Sequence, residues 1–438
     1  MNLNTLQAFR HEVYSCLQRA ADALFEVADA LLTDPHAQSL AELSLAPSFQ
    51  RRWPSLYEAF EDGRIDQESL ARIFARYAPL PAADQRMWLG IDASSIERPE
   101  SATARDRSVV YVPNLPERSK PVSYGWQFST LVVLPHQASS WTYVLDQERI
   151  DSQRSAIEVA ATQLRRLLPH LPTRPIVTTD RWYACAPFLL ATEDLACDKL
   201  LRVKSNRVFY RAAPPKTGKR GAPRKDGDRF QCNDASTHGE PDEQWRGEDE
   251  HGQVIEVACW KGLHLRQARH ISLILMRVIR HGATDKPRDP KQSWFLWTGE
   301  ERIALEQVCP GYKRRYSQEH GYRFEKQALL WSKPRLRTPE QFERWTQVVA
   351  IVQNQLLLAR QLGQVHLRPW ESTSREPTPQ QVRRAMARIL GQLGTPVKAP
   401  KPRGKSPGRA KGTTIRPAPR YEVVRKTQSK PKKPRKSA

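Results

Sequence analysis

The sequence predicts an α/β fold that opens with a helical region, is interrupted by a β-rich stretch and ends in a basic tail without structure. Three observations carry this reading. Between residues 87 and 205, short apolar runs rich in β-branched and aromatic residues precede and then alternate with helical periodicity. Residues 206–300 lose that rhythm and hold a polar Gly/Pro loop and further strand-like runs. Residues 397–438 carry 15 Lys and Arg against one acid, Glu422, among many Pro, Gly and Ser, a composition that cannot bury enough apolar surface to offset its ordering entropy.

The elements follow in order. Leu6, Phe9, Val13, Leu17, Leu24, Val27 and Leu31 recur at helical spacing, predicting one amphipathic helix over 4–32 that Asp34-Pro35 ends. Shorter helices fill 38–79, broken at Pro47 and Pro54. Residues 1–82 therefore form a helical N-terminal region. Over 83–205, MWLGID (87–92), VSYGWQFSTLVVLP (122–135), SWTYVLDQERI (140–150), PIVTTD (175–180) and KLLRVKS (199–205) read as strands, with helices at 152–168 and 182–191. In 206–300, the loop 214–229 is followed by strands at 254–260, 270–279 and 293–299. Within 301–396, residues 312–332 and 338–362 return to helical periodicity, and in the second Phe342, Trp345, Val349, Val352 and Leu356 form a core stripe.

Composition narrows the partners. Of 438 residues, 70 are Lys or Arg and 47 Asp or Glu, a net charge of +23. The last 42 residues hold +14 of it, which leaves +9 for the rest. A polyanion is the first partner to consider, and nucleic acid is the commonest. The tail reads as an electrostatic arm for phosphates or, more blandly, a solubilising extension. Residues 1–82 read equally as a DNA-binding module or a structural cap. No run of 18 apolar residues suggests a membrane span, and the N-terminus lacks the charged start and apolar core of a secretory signal. The six cysteines are scattered with no C-x2-C pair, and no H-x3-H pair occurs. These features point to reduced thiols in a cytoplasmic protein rather than to zinc or disulfides. His264 and His270 read as ordinary side chains.

Two acids close apolar runs, Asp92 in WLGIDASS and Asp180 in IVTTDRWY. Carboxylates at the ends of neighbouring strands, joined by a third acid, supply the hard oxygens that hold Mg²⁺ and can hold two ions for in-line phosphoryl displacement. An Asp at such a position also serves simply as a turn or cap residue. A third feature is the spacing Y-x2-R-x3-E-x6-K, formed by Tyr312, Arg315, Glu319 and Lys326. On one helix these positions share a stripe. The acid can then face a metal while Arg and Lys contact phosphates. The plainer alternative is an amphipathic helix with i,i+4 ion pairs. Glu325 is a rival third acid without the spacing.

The Y-x2-R-x3-E-x6-K string resembles the signature of a group of prokaryotic insertion-sequence transposases of the DDE type. The resemblance covers about residues 85–335. It implies an RNase H-like core with the first acid on the first strand, the second after the fourth, the glutamate on a later helix, and a β-rich domain inserted between the last two. It implies that Asp92, Asp180 and Glu319 bind two Mg²⁺ (or Mn²⁺) ions, and that Tyr312, Arg315 and Lys326 contact DNA near the cleaved end. The partners it implies are terminal inverted repeats and target DNA, engaged by a homodimer in a synaptic complex associated with the nucleoid. In some relatives a tryptophan of the inserted domain stacks on a flipped base, which makes Trp260, Trp294 and above all Trp297 candidates here. The loop GKRGAPRK, with Arg220, Arg224 and Lys225, resembles a minor-groove arm but has Ala222 where the central Arg would stand. It reads as a phosphate-contacting loop or, equally, as a solvated surface loop. The same triad fits an RNase H-like nuclease without strand transfer, and the charge fits an inactive, domesticated DNA-binding protein.

Overall fold

The structure is a computed structural model. It describes residues 2–426 apart from 113–120, 216–221, 251, 283–290, 363–364, 366, 373, 403–407, 409 and 415–416. Arg220 lies outside the described residues.

The N-terminal region holds helices α1 (Leu3–Cys16), α2 (Ala21–Thr33), α3 (Leu40–Leu43), α4 (Trp53–Asp62) and α5 (Gln67–Arg76), with a two-stranded ribbon of β1 (Leu17–Arg19) and β2 (Arg64–Ile65). The single helix expected over 4–32 is two. Leu17–Arg19 leaves the helix to pair with β2, and Ala20 turns the chain at a left-handed φ of 54°. No Gly or Pro marks this break, because a tertiary pairing causes it. The apolar stripe of Leu6, Phe9 and Val13 is buried as its spacing predicts.

The main sheet joins twelve described strands. They are β3 (Trp88–Glu97), β4 (Ser108–Tyr111), β5 (Val122–Leu134), β6 (Tyr143–Ile150), β7 (Ile176–Thr179), β8 (Asp198–Val203), β9 (Val208–Tyr210), β10 (Arg229–Gln231), β11 (Glu243–Glu248), β12 (Val254–Leu265), β13 (Ala268–Arg280) and β14 (Gln292–Thr298). Its centre runs β6-β5-β3-β7-β8. Strands β3, β5 and β6 form an antiparallel meander, and β7 and β8 lie parallel to β3. Two helices, α6 (Ala156–Leu167) and α7 (Ala186–Ala191), make the connections that parallel pairing requires. Ser155 and Glu158 form a capping box at the start of α6. The short β4, absent from the sequence reading, pairs with the first residues of β5. The β-rich stretch is not a separate sheet. Its last strand, β14, pairs antiparallel with β8 and extends the sheet through β13 and β12.

Four helices follow: α8 (Leu305–Lys313), α9 (Tyr316–Gln327), α10 (Pro339–Ala359) and α11 (Pro379–Leu393). Helix α10, started by a Thr338–Gln341 capping box, is buried along nearly all its length between β6 and the N-terminal helices. Its Asn354 side chain both accepts from Val144 N and donates to Val144 O, each at 2.8 Å, so β6 has its backbone groups satisfied there. Helix α9 lies close on the sheet. A Cβ at Gly321 would meet the Thr142 hydroxyl at 2.5 Å, and one at Gly90 of β3 would meet Gln318 Oε1 at 2.6 Å. No helix among the described residues is long and apolar enough to cross a membrane, and all six cysteines are free, five of them buried.

Part of the tail expected to lack structure is placed. Val424 forms a parallel bridge with Ser108 on the outer edge of β4. Tyr421 N donates to Ala102 O at 2.8 Å and Val424 N to Arg107 O at 2.7 Å. Composition averaged over the whole tail hides the one β-prone stretch in it, Tyr421-Glu422-Val423-Val424. Residues 427–438 lie outside the described residues.

Candidate active site

Asp92 does not end its strand. It is the fifth residue of the ten-residue β3, but the parallel ladder with β7 stops at Ile91↔Thr179. Asp92 is thus the first residue of β3 beyond that pairing, and Asp180 directly follows β7. The two acids stand side by side just past the last pair of the β3–β7 ladder. The polar Ala93-Ser94-Ser95 sequence after Asp92 continues the strand because β5 pairs with it along its whole length. Asp180 Oδ1 accepts from Trp182 N at 2.9 Å, which turns the chain away toward α7.

The third acid arrives on α9. The signature residues do not share one helix: α8 ends at Lys313, and the chain turns through Arg314 and Arg315 before α9 begins. No Gly or Pro stands between Lys313 and Tyr316 to mark this break in the sequence. The turn carries Arg315 inward. Its Nη2 lies 2.8 Å from Asp92 Oδ2 and its Nη1 3.4 Å from Glu319 Oε1. Glu319, in the first turn of α9, stays 56% exposed on its side chain, whereas Arg315 is 11% exposed. Burial pushes the Asp92 carboxyl up to about 6; Arg315 opposes this, and the negative charges of Asp180 and Glu319 add to it. The same three acids hold the Arg315 guanidinium far above its ordinary range against its own desolvation. Asp92, Asp180 and Glu319 therefore feel one another around a single guanidinium.

The other signature residues face the protein. Tyr312 packs at a tilt, 4.8 Å from Phe295 of β14, with the Arg202 guanidinium of β8 6.0 Å from its ring. Lys326 Nζ donates to Ser95 O of β3 at 3.0 Å. Tyr312 thus ties α8 to β14 and β8, and Lys326 ties α9 to β3, the strand that carries Asp92. Glu325 is buried and turned onto β6, where Gln147 Nε2 donates to its two oxygens at 3.1 and 3.0 Å. Burial pushes its carboxyl up to about 8.

The three candidate tryptophans of the β-rich stretch, Trp260, Trp294 and Trp297, are core. Trp260 and Trp294 pack at 5.6 Å, and Trp297 is 1% exposed with its Nε1 donating to Glu301 O at 3.1 Å. Their strands bury them on both faces, so none presents a free ring. The exposed indole beside the acids is Trp182, 65% exposed, with Lys204 Nζ 3.6 Å from its ring. Arg224 and Lys225 are exposed in a loop near β9 and β10, remote in the strand order from β3.

Two tyrosines escaped the sequence reading. Tyr322 donates its hydroxyl to Asp92 O at 2.9 Å. It lies three residues after Glu319, one helical turn on, and that spacing was the available signal. Tyr183, buried three residues after Asp180, has its phenol held protonated by burial and by the charges of Asp92 and Asp180.

The donor set suits a divalent cation. Asp92 and Glu319 share one guanidinium and Asp180 stands beside Asp92 at the end of the ladder, which leaves a surplus of negative charge and only hard oxygen donors. Arg315 is the counter-charge that Asp92 and Glu319 share, and no three His, Cys, Asp or Glu residues among those described are clustered tightly enough to ligate one ion.

A family described as DDE superfamily endonuclease matches residues 12–266. The match takes in Asp92 and Asp180 and stops short of Glu319. No curated protein matches the sequence. With more than half of its length matched, the chain belongs to the DDE superfamily of endonucleases, which act on DNA.

Proposed function

We propose that the chain is the DNA transposase of an insertion sequence, built on an RNase H-like core, which binds the terminal inverted repeats of its element, cuts DNA at those ends and joins them to target DNA. The observation that carries this reading is the pair Asp92 and Asp180 at the end of the β3–β7 ladder, with Glu319 joined to Asp92 through Arg315. The strand order β6-β5-β3-β7-β8, three antiparallel strands followed by two parallel ones, supports the RNase H-like core. A homodimer pairing two ends follows from the same reading, since both ends must be cut together.

Asp92, Asp180 and Glu319 would hold two Mg²⁺ or Mn²⁺ ions. When bound, such ions activate a water or a 3′-hydroxyl and stabilise the leaving oxygen. The chain's own residues set the stage for this. The β3–β7 ladder fixes Asp92 and Asp180 relative to each other. Tyr322 and Lys326 hold the β3 backbone at Asp92 and Ser95, and so keep α9 at a fixed height over the strand. Arg315 neutralises the acids and offers a planar fork to a phosphate once a cation takes over that duty. Lys204 and Trp182 put a cation and an open ring next to Asp180, where a backbone or a base can rest.

The test is cleavage and joining of labelled element-end DNA with Mg²⁺ or Mn²⁺. Asp92→Asn, Asp180→Asn and Glu319→Gln are each expected to abolish cleavage and to retain DNA binding. Full activity in Glu319→Gln would overturn the triad. Cleavage without joining would favour a nuclease lacking strand transfer, and binding without either reaction a domesticated DNA-binding protein.

A further inference from the structure

Far from the three acids, the end of the β-rich stretch forms a groove of about 500 Å³ lined by Tyr210, Arg224, Lys225, Asp226, Arg229 and Arg266. Four cations there face one carboxylate. Three separate segments supply them. Tyr210 ends β9, and Arg229 opens β10 as its cross-strand partner. Arg266 sits in the turn between β12 and β13, and Arg224 and Lys225 come from the loop before β10.

The cations are organised rather than scattered. Asp226 takes the Arg269 guanidinium on both oxygens, at 2.7 and 2.9 Å, and His264 Nε2 lies 3.1 Å from Oδ1. Its carboxyl is held far below the ordinary range by these partners, Arg269 first, so it stays ionised and keeps the wall in place. Arg266 reaches Asp226 only at 3.4 Å, and its guanidinium lies over the Tyr210 ring at 4.5 Å with the side chain 62% exposed. Arg229 and Lys225 are exposed and make no ion pair among the described residues. A planar guanidinium stacked on a tyrosine and flanked by unpaired cations is a surface for the phosphodiester backbone. A membrane surface would need an apolar rim, and the lining has none.

We propose that this groove is a second binding site for DNA backbone phosphates, separate from the site of cleavage. The proposal rests on DNA being the substrate. Six strand-to-strand steps separate β9 from β3 in the sheet. At roughly 4.8 Å per step across the sheet, and with His264, the partner of Tyr210, lying five residues along β12 from Cys259, which is level with Asp92, the groove lies about 30–35 Å from Asp92, or about nine to ten base pairs along a duplex at about 3.4 Å each. The groove would thus hold the duplex nearly one helical turn away from the scissile phosphate and set its approach to the acids.

The experiment measures affinity of the full chain for a long fluorescein-labelled duplex of arbitrary sequence across a salt series, together with a phosphate-ethylation interference footprint on a duplex that carries the element end and its cut position. Arg229→Ser/Arg266→Ser is expected to lower the slope of log affinity against log salt by about 2, at about 0.9 for each phosphate that is no longer neutralised. It is also expected to erase interference about nine to ten base pairs from the cut position. The charge-keeping Arg229→Lys/Arg266→Lys should retain the slope. An unchanged slope in the Ser variant would overturn the groove while leaving the DNA reading intact, and so would equal losses in the Ser and Lys variants. A wild-type chain that neither binds nor cuts duplex would overturn the DNA reading itself.

Discussion

At the residue scale, the centre of the site is a cation, Arg315, rather than an acid. Its two ion pairs, to Asp92 and Glu319, hold together carboxylates that would otherwise repel. Arg315→Ala is expected to slow single-turnover cleavage by about 100-fold or more, in the range of losing one preorganised charge partner, and to change duplex affinity much less. Arg315→Lys should recover only part of this, because a lysine point charge cannot span both carboxylates. Cleavage by the Ala variant within about threefold of wild type would remove Arg315 from the mechanism. Glu325 gives a prediction about stability. Its ordinary value is 4.5, and burial raises it to about 8 in the folded chain. Below pH 4.5 both states carry the proton and no penalty exists. Between 4.5 and 8 the unfolded chain has released it while the folded chain has not, so stability falls as pH rises, and above 8 the penalty is constant. Glu325→Gln should melt with the wild type near pH 4 and above it at pH 8, by a difference on the order of 1–3 kcal/mol. An equal offset at both pH values would show that the carboxyl does not titrate in this way. Run ends and a fixed spacing single out Asp92, Asp180 and Glu319 in the sequence, and the structure brings Asp92 and Glu319 onto one guanidinium. The sequence could not show that Tyr312 and Lys326 turn inward, since side-chain direction depends on which neighbours the fold supplies.

At the element scale, helices were legible where one face is apolar and their ends are capped. Residues 152–168 and 338–362 became α6 and α10, each opened by a capping box. Breaks caused by tertiary contacts were not legible: the Ala20 turn serves the β1–β2 ribbon, and the Arg315 turn serves the ion pair with Asp92. Helices α1, α2 and α10 are further tied by a buried polar network. Arg10 donates to both oxygens of Asp29, at 2.7 and 3.0 Å, and to Gln355 Oε1 at 2.7 Å. Burial raises the Asp29 carboxyl against the pull of Arg10, so the charge depends on its partner. Arg10→Met should destabilise the fold by about 3–5 kcal/mol because it strands a buried carboxylate. Adding Asp29→Leu should restore much of that stability, and denaturant titrations of the single and double variants measure it. A double variant as unstable as Arg10→Met alone would show that packing, rather than the unpaired charge, sets the cost.

At the scale of the whole molecule, one sheet connects the acids to the phosphate groove, because β14 joins β8 and carries the β-rich stretch onto the central strands. The sequence showed that strands lie between residues 206 and 300 but not that they share a sheet with β3, since pairing partners so distant in the chain leave no local signal. The tail is a similar case. Its charge was legible; its attachment at β4 was not. Two truncations separate these roles. Removing 427–438 takes away five basic residues and no acid but leaves the Val424–Ser108 bridge. It should lower the salt slope of DNA binding by up to about 4, at about 0.9 per neutralised phosphate, with no change in Tm. Removing 417–438 also removes the backbone hydrogen bonds of Tyr421 and Val424 and the hydrogen bond that Arg107 donates to Tyr421 O at 3.1 Å. It should lower Tm as well, by an amount matching about 1 kcal/mol for each net hydrogen bond removed. Equal Tm values for the two truncations would mean that the edge of β4 gains nothing from the strand laid against it. Equal salt slopes for the full chain and both truncations would mean that the densest charge in the sequence takes no part in holding DNA.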